Sequence, residues 1–213
     1  MDLPASISGT VASDTSRATD LKGICVSAQT NGETAAATTT NATGRYELKR
    51  LYPGTYDVEF VDCRQNLYLA QYYDDKTIAG SDGVEASPTP LDVAVGRHVD
   101  GIDASLEVGG QFAGTVTNTP SNDEKPVALS GICVEAAPVM DVNDPDYDPP
   151  YEYAVTSTSG HYRLKGLWDW SYLVTFNECA PVDSAYGGAS DRSNPVSAII
   201  GVTFHLGTTE LPS

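Results

Sequence analysis

Five short blocks in the first half of this chain recur, in the same order, in its second half. Ordered repetition of this kind is typical of a duplicated folding unit. Two units of about 105 residues fit the length of the chain, because a domain usually holds about 100–200 residues. We therefore expect two domains, residues 1–109 and 110–213. The matching blocks begin at Ile7 and Phe112, at Gly23 and Gly131, at Thr40 and Ser157, at Thr55 and Ser171, and at Gly101 and Gly201.

Apolar and polar residues alternate within each repeat, as they do in strands that bury one face. Tyr56, Val58 and Phe60 alternate with Asp57 and Glu59, which is the period of two of a half-buried strand. Turn-forming residues separate these runs, and no window shows a sustained helical period. About seven short strands per repeat predict an all-β protein made of two antiparallel β-sandwiches in tandem.

Glycine and tyrosine motifs in the first repeat occupy residues 9–11, 23–26, 44–46 and 51–56. They resemble the carboxypeptidase regulatory-like, or Cna B-type, domains, whose fold is an Ig-like, transthyretin-like sandwich. A diverged copy of the pattern follows in the second repeat, where residues 168–170 replace the turn at 52–54. The resemblance implies tandem non-catalytic extracellular modules, such as stalks, adhesin spacers or accessory domains, of the kind found in secreted actinobacterial proteins.

Four cysteines allow three pairings, and the repeat favours one bond in each half, Cys25–Cys63 and Cys133–Cys179. The alternation places Cys25 and Cys63 on the outer face of one sheet if the fifth strand extends that far. A disulfide closing a loop of about 40 residues contributes roughly 4 kcal/mol in the chain-entropy model. Such bonds require an oxidising compartment. Four free thiols and a zinc site are the alternatives.

The charge of the chain restricts its partners. Asp and Glu number 29 against 12 Lys and Arg, for a net charge of −17. This excludes nucleic acid and anionic membrane surfaces, since both need a positive face.

No apolar run reaches about 18 residues, so no membrane insertion is expected. No signal-peptide pattern is present, and the start looks like that of a mature segment of a larger extracellular protein or assembly at the cell surface.

The second repeat carries an acidic, tyrosine-rich insertion at residues 138–153. Carboxylates at alternating positions offer the oxygen ligands that calcium prefers. Pro149 stands where a helix-flanked calcium loop needs glycine, so a solvated acidic loop is the alternative, and calcium is the one cofactor considered. The candidate ligands are Asp144, Asp146, Asp148 and Glu152.

Aromatic residues near this insertion predict a recognition surface. If the strands run up and down, the insertion lies at the same end of the sandwich as Trp168 and Trp170. Aromatic rings beside carboxylates suit stacking against sugar rings or an anchor in a protein interface. The alternative is that the tryptophans cover the end of the core. The candidate binding residues are Tyr147, Tyr151, Tyr153, Trp168 and Trp170.

Catalytic signatures are lacking in the sequence. None of the three histidines accompanies a recognisable nucleophile motif. The first strands, residues 6–12 and 111–118, contain no lysine for the isopeptide crosslink that some Cna B-type domains form. We therefore expect no enzyme, but a structural and interaction module with a protein or glycan partner. A carbohydrate-binding module and a virion or appendage decoration protein are the alternatives.

Overall fold

The computed structural model describes residues 3–15, 20–78, 87–119, 125–139, 151–179, 196–197 and 203–212. These residues form strands and turns without a helix, so the predicted all-β fold is confirmed. The chain divides into two compact units, Met1–Val108 and Gly109–Ser213.

The first unit contains ten of the strands. They are β1 (Ala5–Ser13), β2 (Cys25–Thr30), β3 (Glu33–Thr39), β4 (Arg45–Leu51), β5 (Gly54–Val61), β6 (Gln71–Tyr72), β7 (Lys76–Thr77), β8 (Leu91–Val93), β9 (His98–Val99) and β10 (Ala104–Leu106). The second unit contains β11 (Gly110–Thr119), β12 (Ile132–Pro138), β13 (Glu152–Val155), β14 (His161–Leu167), β15 (Ser171–Glu178), β16 (Val196–Ser197) and β17 (Thr203–Pro212).

Two sheets enclose the core of the first unit. One sheet has the order β3-β2-β5-β6-β7, with β8 also paired to β5, and the other has the order β10-β1-β4, with β9 also paired to β1. The predicted alternation in β5 is confirmed, since Tyr56, Val58 and Phe60 are buried. They meet the buried Ile7 and Leu48 of the other sheet in one apolar cluster.

Two further sheets build the second unit around its own core. Their strand orders are β13-β12-β15-β16 and β14-β11-β17. Phe112, Leu164 and Phe176 are among the buried residues that fill this core. The ring of Tyr162 meets Phe176 edge-on at 5.7 Å between centroids, and Tyr46 and Phe60 repeat this contact at 5.7 Å in the first unit.

The pairing of the first strand with the last departs from a purely antiparallel sandwich. In the first unit β1 is parallel to both β9 and β10, and in the second unit β11 is parallel to β17. Parallel neighbours need a long crossover connection. In each unit the chain between the first strand and the last forms the strands of the opposite sheet, and this length of chain makes the crossover.

A buried threonine bridges two backbone segments in each unit. Thr40 accepts a hydrogen bond from Ile24 N–H (2.9 Å) and donates one to the carbonyl oxygen of Leu21 (2.5 Å). Thr156 does the same between Ile132 N–H (2.9 Å) and the carbonyl oxygen of Leu129 (2.7 Å). Each hydroxyl therefore satisfies a donor and an acceptor that burial would otherwise leave without partners.

Both disulfides have the pairing that the sequence favoured. Cys25 of β2 is bonded to Cys63, just beyond β5, with the Cα atoms 5.8 Å apart. Cys133 of β12 is bonded to Cys179, just beyond β15, with the Cα atoms 5.0 Å apart. Each bond therefore links two adjacent strands of one sheet, and no free cysteine remains.

Candidate functional site

The tryptophans of the second unit stack at one end of its core. Trp168 is 9% exposed, and its backbone N–H donates to the hydroxyl of Tyr172 at 3.0 Å. The rings of Trp168 and Trp170 are stacked with centroids 6.3 Å apart, and Trp170 also packs against Tyr172 at 6.4 Å. Trp168 thus has little surface to offer a ligand, while the half-buried Trp170 keeps part of its surface open.

The acidic insertion leaves the sandwich beside this tryptophan turn. Pro138, at the end of β12, pairs with Tyr172 of β15, and Val139 N–H donates to the carbonyl oxygen of Ser171 at 2.7 Å. The start of the insertion and the turn between β14 and β15 therefore lie at the same end of the sandwich, as the up-and-down order predicts.

Two predicted tyrosines are exposed at β13, with Tyr151 just before the strand and Tyr153 within it. Tyr151, Tyr153 and Val155 alternate along the chain and are 50%, 76% and 55% exposed. Because side chains two apart share a face of a strand, the three residues form an apolar stripe. Glu152 points to the opposite face of β13 and is half-buried. The structure therefore separates this proposed calcium ligand from the tyrosines.

Four of the predicted site residues lie outside the described residues: Asp144, Asp146, Tyr147 and Asp148. Within the described ranges, no group of three or more His, Cys, Asp or Glu side chains is arranged to hold a metal ion. The predicted calcium site therefore stays a prediction.

A polar trough that sequence analysis missed lies on the outer face of β1 and β4. It has a volume of about 900 Å³. Its floor contains the small residues Ser8 and Thr10 of β1, while Arg45 of β4 lines one wall and Asp100 and Asp103 line the other. The sequence offers no local signal for it, because the two walls come from segments more than 50 residues apart.

Hydrogen bonds fix the side chains of the acidic wall. Ser8 donates to Asp100 Oδ1 at 2.7 Å, and the ring of His98 lies between the hydroxyls of Ser6 (2.7 Å from Nδ1) and Ser8 (3.1 Å from Nε2). The Ser8 hydroxyl, the Gly101 backbone N–H and the nearby His98 and Arg45 lower the pKa of Asp100. Asp100 is therefore an ionised acceptor at neutral pH.

The acidic wall of the trough also connects the segment just before β10 to β1. Asp103 Oδ1 accepts from the backbone N–H of Thr10 at 2.7 Å and from its hydroxyl at 2.8 Å. Beneath the trough the buried hydroxyl of Tyr46 donates to the carbonyl oxygen of Ile102 at 2.6 Å, and burial raises the pKa of Tyr46. These contacts hold the segment before β10 against β1.

The lysines that lie nearest to the second strand of each unit are solvent-exposed. Lys22 precedes β2 and Lys125 precedes β12, and both lie at the surface. An isopeptide crosslink needs a buried lysine, so neither of these two residues is placed to form one. The described part of the chain also contains no helix long and apolar enough to cross a membrane.

The fold and its sites define a β-sandwich module with a polar surface. Residues 11–107 match the family of SdrD B-like domains, a match that lies within the first unit. The chain is 30% identical over 156 residues to serine-aspartate repeat-containing protein F of Staphylococcus epidermidis, covering 68% of this chain and 9% of that protein. The chain therefore spans less than a tenth of this curated relative.

Solved structures align with low identity and a low TM-score. The minor pilin GBS52 of Streptococcus agalactiae has 13% identity and a TM-score of 0.41, covering 98% of this chain and 97% of that one. A streptococcal ancillary pilin has 13% identity and a TM-score of 0.41, covering 99% of this chain and 62% of that one.

Proposed function

We propose that this chain is a non-catalytic structural and interaction module of an extracellular surface protein or pilus-like assembly. The observation that carries the proposal is a pair of β-sandwich units, each with its own core and its own disulfide. Disulfides persist in oxidising compartments. The SdrD B-like match of residues 11–107 and the likeness to a serine-aspartate repeat protein support a place in a longer surface protein.

We also propose that residues 1–109 and 110–213 are tandem copies of one domain. The bridging threonines, Thr40 and Thr156, support this, because they make equivalent bonds in equivalent places. The edge-on contacts of Tyr46 with Phe60 and of Tyr162 with Phe176 support it as well. A repeated architecture of this kind suits a spacer, because each domain folds around its own core.

Fractionation of the source organism tests the location. We expect the protein in the surface or secreted fraction, cleaved by protease added to intact cells, with all four cysteines resistant to a thiol label until a reductant is added. A cytoplasmic enzyme serves as the control for cell lysis. Recovery in the cytoplasmic fraction with four reactive thiols would contradict the proposal.

Recognition by the second unit is a further part of the proposal, and the exposed stripe of Tyr151, Tyr153 and Val155 favours it. Exposed tyrosines bury a large amphipathic surface when a protein or glycan binds. We expect Tyr153→Ser to weaken binding of the chain to glycan arrays or to surface extracts. Tyr52→Ser is the matched control, because Tyr52 is 78% exposed on the first unit. If Tyr153→Ser binds as strongly as the Tyr52→Ser control, the stripe of Tyr151, Tyr153 and Val155 is not a recognition surface.

A further inference from the structure

We propose that the polar trough of the first unit is a binding site for a neutral oligosaccharide. β1 forms the floor of this trough, β4 forms one wall, and the segment that runs from β9 to β10 forms the other. The inference goes beyond the proposed structural role of the chain, and it does not depend on the tyrosine stripe of the second unit.

The shape of the trough follows from small side chains between longer ones. Ser8, Gly9 and Thr10 line its floor on β1, which pairs with β4 on one side and with β9 on the other. Adjacent strands lie about 4.8 Å apart, so the walls stand about 10 Å apart. The volume of about 900 Å³ is at the upper end of the range of about 300–1,000 Å³ found for ligand sites. The trough is therefore large enough for several linked sugar rings.

Hydrogen bonds commit the floor hydroxyls to the acidic wall. Ser8 donates to Asp100 Oδ1 at 2.7 Å, and the hydroxyl of Thr10 donates to Asp103 Oδ1 at 2.8 Å. A hydroxyl has a single proton, so both hydroxyl oxygens offer a ligand only their lone pairs. An ionised carboxylate likewise only accepts hydrogen bonds. This side of the trough therefore requires a ligand that donates them.

His98 fixes the orientation of this wall before a ligand binds. Because Ser8 gives its proton to Asp100, its oxygen accepts from Nε2 of the neutral His98 ring at 3.1 Å. Nδ1 of the ring then accepts from the hydroxyl of Ser6 at 2.7 Å. The four side chains form one chain of hydrogen bonds with a single direction, so a ligand need not order them. A site that is ordered in advance binds more tightly, because less entropy is lost on binding.

The basic wall offers the opposite chemistry. Lys49 of β4 is paired with Glu47 at 2.9 Å, whereas the guanidinium of Arg45 takes part in no ion pair among the described residues. An arginine side chain only donates hydrogen bonds. Arg45 disfavours a cationic ligand, and the carboxylates of the other wall disfavour an anionic one. Sugar hydroxyls both donate and accept, so a neutral glycan satisfies both walls at once.

The polar lining favours a glycan over a peptide. Of the lining residues within the described ranges, Tyr46 alone has an aromatic ring, and it is 5% exposed. An extended peptide is held by its backbone bonds together with pockets for alternate side chains. The described lining provides no apolar pocket of this kind, whereas a sugar ring with its hydroxyls needs none.

The second unit has different residues at the same positions of its sheet. Ala113 of β11 stands where β1 has Ser8, and His161 of β14 stands where β4 has Arg45. The same pair of strands therefore forms without the floor hydroxyl and without the guanidinium. Because the fold does not require these two side chains, a ligand accounts for their place in the trough.

A printed glycan array tests the proposal with the full chain, labelled at its N-terminus. The probes are short neutral oligosaccharides, with sialylated and sulfated glycans and a peptide library on the same slide. We expect neutral glycans to give the strongest signals. These signals should change less than about twofold between about 0.05 and 0.5 M salt, because the ligand has no net charge to be screened. Binding to no neutral glycan, or stronger binding to charged glycans or to peptides, would overturn the proposal.

Asp100→Asn tests the acidic wall by titration with the neutral glycan that gives the strongest signal. The amide keeps an acceptor for Ser8 but removes the charge, so we expect the affinity to fall about tenfold. Asp92→Asn is the matched control, because Asp92 accepts from the hydroxyl of Thr55 at 2.8 Å on the opposite sheet. Equal affinities of the two variants would refute the trough as the binding site.

A double variant keeps the test decisive if a single change alters folding. Ser8→Ala with Arg45→His introduces the residues that the second unit has at these positions, so the sandwich should still fold, with its dichroism midpoint as the check. We expect this variant to lose glycan binding, whereas Tyr153→Ser should keep it. The reverse result would place glycan recognition on the tyrosine stripe and overturn this inference. A chain that binds neutral glycans in the trough but is recovered from the cytoplasm would contradict the proposed location alone.

Discussion

Replacement of Thr40 by valine tests whether the bridging hydroxyl stabilises the first unit. Thr40 is 3% exposed, and its hydroxyl contacts Ile24 N–H and the carbonyl oxygen of Leu21. Valine has nearly the same shape, so Thr40→Val leaves a buried donor and a buried acceptor without their partner. An unsatisfied buried group costs about 1–3 kcal/mol, so for these two groups we expect a loss of about 2–6 kcal/mol in the free energy of unfolding.

Urea unfolding with the disulfides intact measures this loss. Both tryptophans lie in the second unit, so tryptophan fluorescence follows that unit, whereas far-ultraviolet circular dichroism follows both. Thr40→Val should lower the midpoint of one dichroism transition by about 1–3 M urea, for a slope of about 2 kcal/mol/M. The fluorescence transition should stay in place. Thr156→Val should move the fluorescence transition instead.

Thr39→Val is the matched control for this experiment. Thr39 is adjacent to Thr40 in the sequence but exposed to solvent on β3, so the same chemical change should shift the midpoint little. A Thr40→Val midpoint equal to that of Thr39→Val would refute the argument from the buried hydroxyl. A shift of both transitions by Thr40→Val would instead contradict independent unfolding of the two units.

Three further predictions concern the cores, a close backbone approach and alkaline pH. Phe60→Ala or Phe176→Ala should cost about 3–5 kcal/mol in the unit that it affects, measured by the same two signals, because both rings are buried; a midpoint unchanged in either would refute its core role. Gly9→Ala should destabilise the first unit alone, because its Cβ would meet the carbonyl oxygen of Ile102, and unaltered dichroism midpoints would contradict this. Burial raises the pKa of Tyr162 from 10.0 to about 12. The neutral Tyr162 hydroxyl therefore contributes fully to the stability of the second unit below pH 10, and this stability is lost as the pH rises through 12. Fluorescence midpoints of unfolding that do not fall over this range would refute the prediction.

Local sequence pattern was sufficient to predict the strands and the residues that they bury. In β5 the alternation identified Tyr56, Val58 and Phe60 as core residues, because a strand that covers a core must place every second side chain inward. The cysteine pairing followed from the same alternation and from the repeat. These features depend on neighbouring residues in the chain, so one sequence contains the information that they require.

Features that depend on distant residues could not be predicted in this way. The contact of Ser6 with His98 joins residues 92 positions apart, and the parallel pairing of β1 with β10 depends on how the crossover returns. Trp168 illustrates a different difficulty. A tryptophan in a turn suits either a binding platform or a core, and its burial depends on the neighbouring rings of Trp170 and Tyr172.

Comparison of the two units separates the residues that the fold requires from those that are free to differ. The bridging threonine occurs in both units with the same two bonds, so the sandwich itself accounts for its presence. The turn between the fourth and fifth strands differs, with exposed Tyr52 in one unit and the stacked Trp168 and Trp170 in the other. The acidic insertion beside that turn also belongs to the second unit alone. Because the shared sandwich does not account for these differences, the exposed surface around this turn is where a specific partner of this chain should first be sought.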